Sequence, residues 1–514
     1  MKVFFRVDSS IEVGTGHVRR CLTIAKGLKD LGVQDVVFIC SRLEGNIIDD
    51  LTNHSFEVRI IESNPEFNLE DVQQYRVPEI DILSQVQVVD AEQTINLLNN
   101  EHPDILIADS YLFAETWENI LRPYVKSLVV IDDLANRFHN CDTIIDYNFS
   151  DNNKAYDLLA PSGCSKLCGT KYVLLNQDFL RVSNKRKPIV SINRILVFFS
   201  GSTELHPLTI SVVNKLQSIE PDNLHIDVVV GGNAEDVRRV AKNINRPNTT
   251  VTGPVPNFAQ LVENANLAIG AGGITNWERC YLGLPAIVVA IAKNQVPSSS
   301  ALSRNKYINY VGELSEETPL KIEELVRKFI NDTDLLNKQS ILCLKLVDGK
   351  GLRRILISLL PKSYFSFSLR EATIDDVDMY FDWVNDPEVR KSALNPAIIA
   401  IEHHIKWFNK QITSNEAFMY VYECDGVAIG QTRFNIIDGI AYIDYSIDEF
   451  ARGKGIGYCM LQEAIKRFSN MNKVLIVAEV KKTNPASISI FEKLHFDKFL
   501  ETYTTFSFQK KLIL

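Results

Sequence analysis

Little in this chain points to a membrane, a nucleic acid or an oxidising compartment. It has no apolar run approaching the roughly 20 residues a bilayer-spanning helix takes. It opens directly on a strand pattern, without the apolar h-region of a secretory leader, so the expected location is the cytoplasm. Cationic excess is missing too: 55 Lys and Arg against 64 Asp and Glu leave a formal net charge of -9. A general grip on nucleic acid needs concentrated Lys and Arg, so neither nucleic acid nor membrane is an expected partner, while local basic pockets for a phosphate stay open. The nine cysteines are an odd count without the spacing of a disulfide framework, and reduced thiols are the simplest reading. Cys164 and Cys168 lack the second pair that a tetrahedral zinc site requires, and no metal is expected. Repeats and low-complexity tracts are absent.

What remains is the composition of an ordinary globular protein, 46% hydrophobic and 23% charged over 514 residues. That length suits about three domains. The first third alternates apolar strands (Lys2–Val7, Val36–Cys40, Asp104–Asp109, Leu128–Asp132, Thr143–Asp146) with helical patterns, which implies a parallel sheet covered by helices. Residues 60–90 read as a polar, irregular excursion. After the loop-like stretch Ser150–Ser165 and the basic run Asn184–Pro188, a second series begins. Its expected strands are Arg194–Ser200, His225–Val230, Thr249–Thr252, Leu267–Gly270 and Ala286–Ile291, followed by helical patterns to Leu360. Pro361–Ser368 reads as a connector into a third region of mixed helices and consecutive strands, an α+β pattern. The expected domains are 1–160, 161–362 and 363–514.

The first chemistry-bearing stretch runs from Phe5 to Cys21. Gly14, Gly16 and His17 fall between an apolar strand and a helical pattern. The glycines permit a tight turn and close approach of a ligand. The exposed N–H groups of the following helix favour an anion, and an imidazole there is able to exchange a proton beside a bound phosphate. With Asp8 upstream and Arg19 and Arg20 downstream, this is a candidate site for a phosphorylated small molecule. Asp8 is open to two roles, orienting His17 or capping the turn.

A second stretch, Gly270 to Pro285, follows another apolar strand and opens a helix. Gly272 and Gly273 can expose backbone donors to a diphosphate. Glu278, about one turn inside the helix, is placed to accept the hydroxyls of a ribose. Asn294 and Gln295 follow the next strand, at the carboxyl end where ligands of open α/β sheets gather.

Residues 1–360 resemble the UDP-2,4-diacetamido-2,4,6-trideoxy-β-L-altropyranose hydrolases of bacterial pseudaminic acid synthesis. The resemblance rests on Arg6-x-Asp8, Gly14-x-Gly16-His17 with Arg20-Cys21, Asp109-Ser110-Tyr111 and Ile131-Asp132-Asp133. It continues through Ala271-Gly272-Gly273, Trp277-Glu278-Arg279, Asn294-Gln295, and Asp348 to Gly351 with Arg353. It implies a GT-B-like pair of Rossmann-type domains in which His17 activates water. UDP is then released by cleavage at the anomeric carbon without a metal, and the nucleotide contacts the middle domain around Glu278 and Asn294. Two departures are Ser200-Gly201 where the family usually has Gly-Gly, and Leu175-Asn176 where it tends to have Leu-Arg.

The third stretch, Tyr445 to Tyr458, runs from a strand through Arg452-Gly453-Lys454-Gly455-Ile456-Gly457 into a helix, placing backbone donors to face a pyrophosphate. Asn484 opens a later helix that ends near Phe491 to Phe496. Together with Asp382 to Arg390, residues 365–510 resemble the GNAT family of acetyl-CoA-dependent N-acyltransferases. The resemblance implies acetyl-CoA as cosubstrate, its pantetheine between splayed strands and its pyrophosphate at Arg452–Gly457. Many members carry Tyr where this chain has Phe491, as the acid for the departing thiolate; Phe has no proton to offer. For His403, His404 and Glu479 a structural role is preferred to that of base.

Both resemblances together predict a bifunctional enzyme. It would acetylate a UDP-4-amino-sugar and hydrolyse the resulting UDP-2,4-diacetamido sugar on the way to pseudaminic or a related nonulosonic acid. The alternatives are a GT-B glycosyltransferase with a fused acyltransferase, and a hydrolase carrying a non-catalytic acetyl-CoA-binding module.

Overall fold

The computed structural model describes residues 1–511 apart from 12, 63–79, 151–153, 183–185 and 220–223, and apart from the side chains of 80–83. Its chain divides into two compact units, Met1–Leu352 and Arg353–Leu514.

The first unit holds two parallel sheets. In the first are β1 (Lys2–Val7), β2 (Asp35–Ser41), β3 (Glu57–Ile61), β4 (Ile105–Asp109), β5 (Leu128–Ile131), β6 (Thr143–Asp146) and β7 (Ser165–Cys168). Their order is β3-β2-β1-β4-β5-β6-β7, so the winding direction reverses between β1 and β4. That reversal opens a crevice at the carboxyl ends of the two strands. Central strands are buried on both faces, which is why Val3, Phe4, Phe5 and Ile105 to Ala108 read as continuous apolar runs. The helix Gly16–Asp30 covers β1 with Val18, Cys21, Leu22, Ala25 and Leu28, a stripe at helical spacing.

The second sheet contains β8 (Arg194–Phe198), β9 (His225–Val229), β10 (Thr249–Thr252), β11 (Leu267–Ala271), β12 (Ala286–Ala290) and β13 (Asn309–Glu313), in the order β10-β9-β8-β11-β12-β13. Again the direction reverses beside the first strand, between β8 and β11. Each sheet has its own apolar core.

The second unit is built on a mixed sheet of β14 (Phe367–Glu371), β15 (Ala417–Cys424), β16 (Val427–Ile437), β17 (Ile440–Ile447), β18 (Leu475–Lys481), β19 (Asp497–Glu501) and β20 (Thr505–Lys511). The order is β14-β15-β16-β17-β18-β20-β19, with β17 and β18 parallel and the other pairs antiparallel. Asp425-Gly426 and Asp438-Gly439 turn the two central hairpins, all four residues at positive φ. That is the backbone a two-residue hairpin loop requires.

The fold class is thus the expected one, two Rossmann-type sheets followed by an α+β unit. The first sheet runs beyond residue 160, because β7 pairs with β6. The C-terminal unit begins at Arg353 rather than 363, and within the expected connector Phe367 starts β14. The expected excursion over 60–90 contains the end of β3 and the start of the helix Ile80–Leu98; residues 63–79 of it lie outside the described residues. So do 151–153 of the expected loop and residues 184 and 185 of the basic run. No helix among the described residues is long and apolar enough to cross a membrane.

Candidate active sites

At the switch point of the first sheet, Val7 of β1 lies in register with Asp109, the last residue of β4. Gly14 takes φ +78°, which an L side chain rarely adopts, and Gly16 opens the helix with free space where a Cβ would stand. One residue on, His17 is buried and its Nδ1 lies 2.5 Å from Asp109 Oδ1. Arg20, one turn further, donates from Nε to Asp109 Oδ2 at 2.5 Å and from its terminal nitrogens to Oδ1 at 2.6 Å and to Tyr147 Oη at 3.2 Å. It also pairs with Asp133 at 3.2 Å. The Tyr111 ring meets His17 edge-on at 4.7 Å. Burial opposes the charge of Asp109, but Arg20 and His17 outweigh it and hold the carboxyl well below its usual range. An ionised Asp109 accepts a hydrogen bond from the Nδ1–H of His17, which leaves Nε2 as the basic nitrogen.

The partner that orients His17 is therefore Asp109 and not Asp8. Asp8 accepts from Arg6 at 2.6 Å and from the Ser41 backbone N–H at 2.6 Å. Arg6, fully buried, also holds Asp90, so this network ties β1 to β2 and to the helix Ile80–Leu98. Arg19 is exposed; its Nε donates to Thr15 at 3.2 Å and a terminal nitrogen lies 4.0 Å from Asp50. Sequence reasoning did not assign Tyr147 a role; its position after β6 carries no motif.

In the second sheet, β11 ends at Ala271 and the Gly272-Gly273 turn leads into the helix Thr275–Tyr281. A Cβ on Gly272 would stand 2.4 Å from Ser299 Oγ, and one on Gly273 3.9 Å from Gln295 Nε2, so this turn packs against the helix Gln295–Arg304. Ser299 Oγ is buried without a hydrogen-bond partner among the described residues. Arg279 fixes the turn by donating to the Ala271 carbonyl at 2.9 Å and to Asn276. Gln295 folds back to accept from the Ile291 N–H at 3.1 Å, and the exposed Asn294 stands just before the helix without a side-chain capping bond. Burial pushes the Glu278 carboxyl up to about 7, with Arg279 opposing. Both departures from the hydrolase pattern have local partners: Asn176 caps the helix Gln177–Leu180 through the Asp178 N–H, and Ser200 accepts from the Ser202 N–H.

In the C-terminal unit, β17 and β18 pair only from Ile440 to Tyr442, although both strands run on. Beyond that point they part, and a cavity of about 930 Å³ opens between them. Its lining includes Gly453, Gly455, Gly457, Asn484, Tyr445 and Phe491. Gly453 and Gly455 take φ of +77° and +71°, turning the backbone into the helix Ile456–Met471. The cationic side chains of this turn face protein partners. Arg452 donates to the Ile447 carbonyl at 2.9 Å and pairs with Asp386 at 2.8 Å. Lys454 donates to the Leu360 carbonyl at 2.8 Å, and burial lowers its pKa. What the turn offers an anion is accordingly its backbone N–H groups. Asn484 caps the helix Pro485–Lys493 through the Ser487 N–H. Of the candidate bases, His404 is buried with Nε2 3.0 Å from the Val377 carbonyl, a structural placement. Glu479 accepts from Thr505 at 3.0 Å, and His403 lines the cavity.

Comparison with known proteins first defines a class. Residues 195–342 match the family described as glycosyltransferase family 28 C-terminal domain, and residues 367–497 match the acetyltransferase (GNAT) domain. A GT-B-like nucleotide-sugar domain is thus joined to an acetyltransferase domain in one chain. Among individual proteins, an uncharacterized protein of Methanocaldococcus jannaschii is 22% identical over 97% of this chain and 97% of its own. The UDP-2,4-diacetamido-2,4,6-trideoxy-β-L-altropyranose hydrolase of Campylobacter jejuni is 24% identical over 60% of this chain and 98% of its own. The crystal structure of Acinetobacter baumannii MurG, at 13% identity, covers 69% of this chain and 98% of its own with a TM-score of 0.49.

Proposed function

We propose that this chain carries out two consecutive steps on a UDP-sugar. The C-terminal unit acetylates a UDP-4-amino-sugar with acetyl-CoA, and the first unit hydrolyses the UDP-2,4-diacetamido-2,4,6-trideoxy-β-L-altropyranose so formed. The carrying observation is His17 held by Asp109 at the switch point of the first sheet. Nε2 of His17 takes a proton from water, the water oxygen bonds to the anomeric carbon, and the bond from that carbon to the diphosphate breaks. UDP is a fair leaving group, so positioning the water and accommodating diphosphate charge are the main tasks. The Gly272 N–H is taken by the Val289 carbonyl at 3.2 Å, so Gly273 supplies the backbone donor for the diphosphate, and Glu278 accepts from the ribose. In the C-terminal unit, the gap between β17 and β18 suits the pantetheine arm, and the turn from Arg452 to Gly457 with Asn484 borders the same cavity. The similarity to the Campylobacter jejuni hydrolase supports the choice of sugar.

The test is incubation of the protein with the UDP-4-amino-sugar, with and without acetyl-CoA, followed by mass spectrometry. The expected products are an acetylated intermediate, then free UDP and a diacetamido sugar. The match to a glycosyltransferase domain favours a second reading, transfer to an acceptor. UDP release in water alone, with no acceptor added, decides against it.

A further inference from the structure

Acyl transfer from a thioester leaves a sulfur that needs a proton. The helix Pro485–Lys493 carries Ser487 and Phe491 one turn apart, both lining the cavity. The Phe491 ring is 2% exposed and packs against Phe496, Phe508 and Tyr445, with no hydroxyl to offer. Tyr445 stands on β17 beyond Tyr442, the last residue paired with β18, so it lies on the open part of the strand. Its ring centroid is 6.1 Å from that of Phe491, and its hydroxyl lies 2.8 Å from Ser487 Oγ. Tyr380, the other phenol on the cavity wall, already donates to the Tyr420 carbonyl at 3.0 Å.

We infer that Tyr445, held by Ser487, protonates the departing thiolate in place of a residue at position 491; this rests on the acetyltransferase reading of the unit. A primary amine forms the new C–N bond with the acetyl carbon, and the C–S bond breaks. The Tyr445 proton passes to sulfur, and the proton lost by the nitrogen restores the Tyr445 hydroxyl, so no phenolate accumulates. Ser487 positions the phenol and bridges the returning proton. Burial, only partly opposed by the Ser487 hydrogen bond, raises the phenol to about 12, which keeps it protonated at neutral pH.

The experiment measures thiol release and acetyl-CoA affinity for the full-length chain and for Tyr445→Phe, Ser487→Ala and Tyr445→Phe/Phe491→Tyr, with the UDP-4-amino-sugar as acceptor. Tyr445→Phe should lower kcat by about 100-fold, within the range of acid catalysis, with acetyl-CoA affinity kept. Ser487→Ala should lose less, and the double variant should regain most of the turnover by placing a phenol on the facing helix. Unchanged kcat in Tyr445→Phe, loss of acetyl-CoA binding in step with kcat, or no recovery in the double variant overturns the assignment. A wild-type chain that releases no thiol overturns the acetyltransferase reading itself.

Discussion

One carboxylate at the His17 site serves two functions, and they separate by measurement. Asp109 accepts a hydrogen bond from the Nδ1–H of His17 and also neutralises Arg20, which is itself buried. His17→Ala should abolish UDP-sugar hydrolysis while UDP affinity, measured by calorimetry, stays within a few-fold. Asp109→Asn should cost about 10²–10⁴ in kcat through loss of the oriented base. Because it strips a buried cation of a partner, it should also destabilise the unit by about 3 kcal/mol in denaturant unfolding. Glu278 answers to pH instead. Its carboxyl is raised from the ordinary 4.5 to about 7 by burial, so the folded state prefers the protonated form. The stability this confers is complete below 4.5 and is lost as pH rises through 7. Glu278→Gln should therefore match wild type near pH 4 and exceed it by about 3 kcal/mol near pH 8. If the ionised carboxylate accepts the ribose hydroxyls, UDP affinity of the wild type rises through the same interval, and the Gln variant lacks that rise. His17 and Glu278 were legible as residues in glycine-bearing turns, whereas the His17–Asp109 contact spans 92 positions and no local spacing reveals it. Asp8 precedes the turn in sequence, which left its role open, and its nearest donors come from Arg6 and from Ser41 on β2.

At the scale of elements, the strands that sequence patterns missed sit at the margins of the sheets. β3 and β7 are the edges of the first sheet, β13 is an edge of the second and β14 of the third. An edge strand is buried on fewer sides, so Ser165–Cys168 and Asn309–Glu313 carry no continuous apolar run. Central strands such as Ile105–Asp109 and Ala286–Ala290 are buried throughout and announce themselves. Turns obey stricter geometry still. A Cβ on Gly231 would stand 1.7 Å from the Gly201 carbonyl oxygen, locking together the loops that follow β9 and β8. Gly231→Ala should destabilise the first unit by about 1–3 kcal/mol or more in chemical unfolding, since backbone has to move. Gly455→Val acts on the other unit. Gly455 holds φ +71° at the start of the helix Ile456–Met471, and a β-branched residue resists that conformation. Acetyl-CoA binding should fall below detection in calorimetry; retained affinity would remove this turn as the pyrophosphate cradle.

At the scale of the molecule, two compact units with separate cores predict two ligand responses. A ligand that binds the folded state alone stabilises it by about 2.7 kcal/mol at 100 times its Kd. For a unit the size of Arg353–Leu514, that is a rise of roughly 5–10 °C in Tm, given 2–4 °C per kcal/mol. Scanning calorimetry of the full chain should resolve two transitions. Acetyl-CoA should raise the one lost when residues 353–514 are deleted, and UDP should raise the one that remains. Combining His17→Ala with Gly455→Val sharpens the test. His17→Ala should leave both shifts intact, since it removes a base rather than a binding surface, whereas Gly455→Val should cancel the acetyl-CoA shift alone. A UDP shift on the C-terminal transition would place the nucleotide of an amino-sugar acceptor in that unit's cavity beside acetyl-CoA. That is where a UDP-4-amino-sugar has to sit if acetylation precedes hydrolysis, so the same scan also tests the order of the two steps.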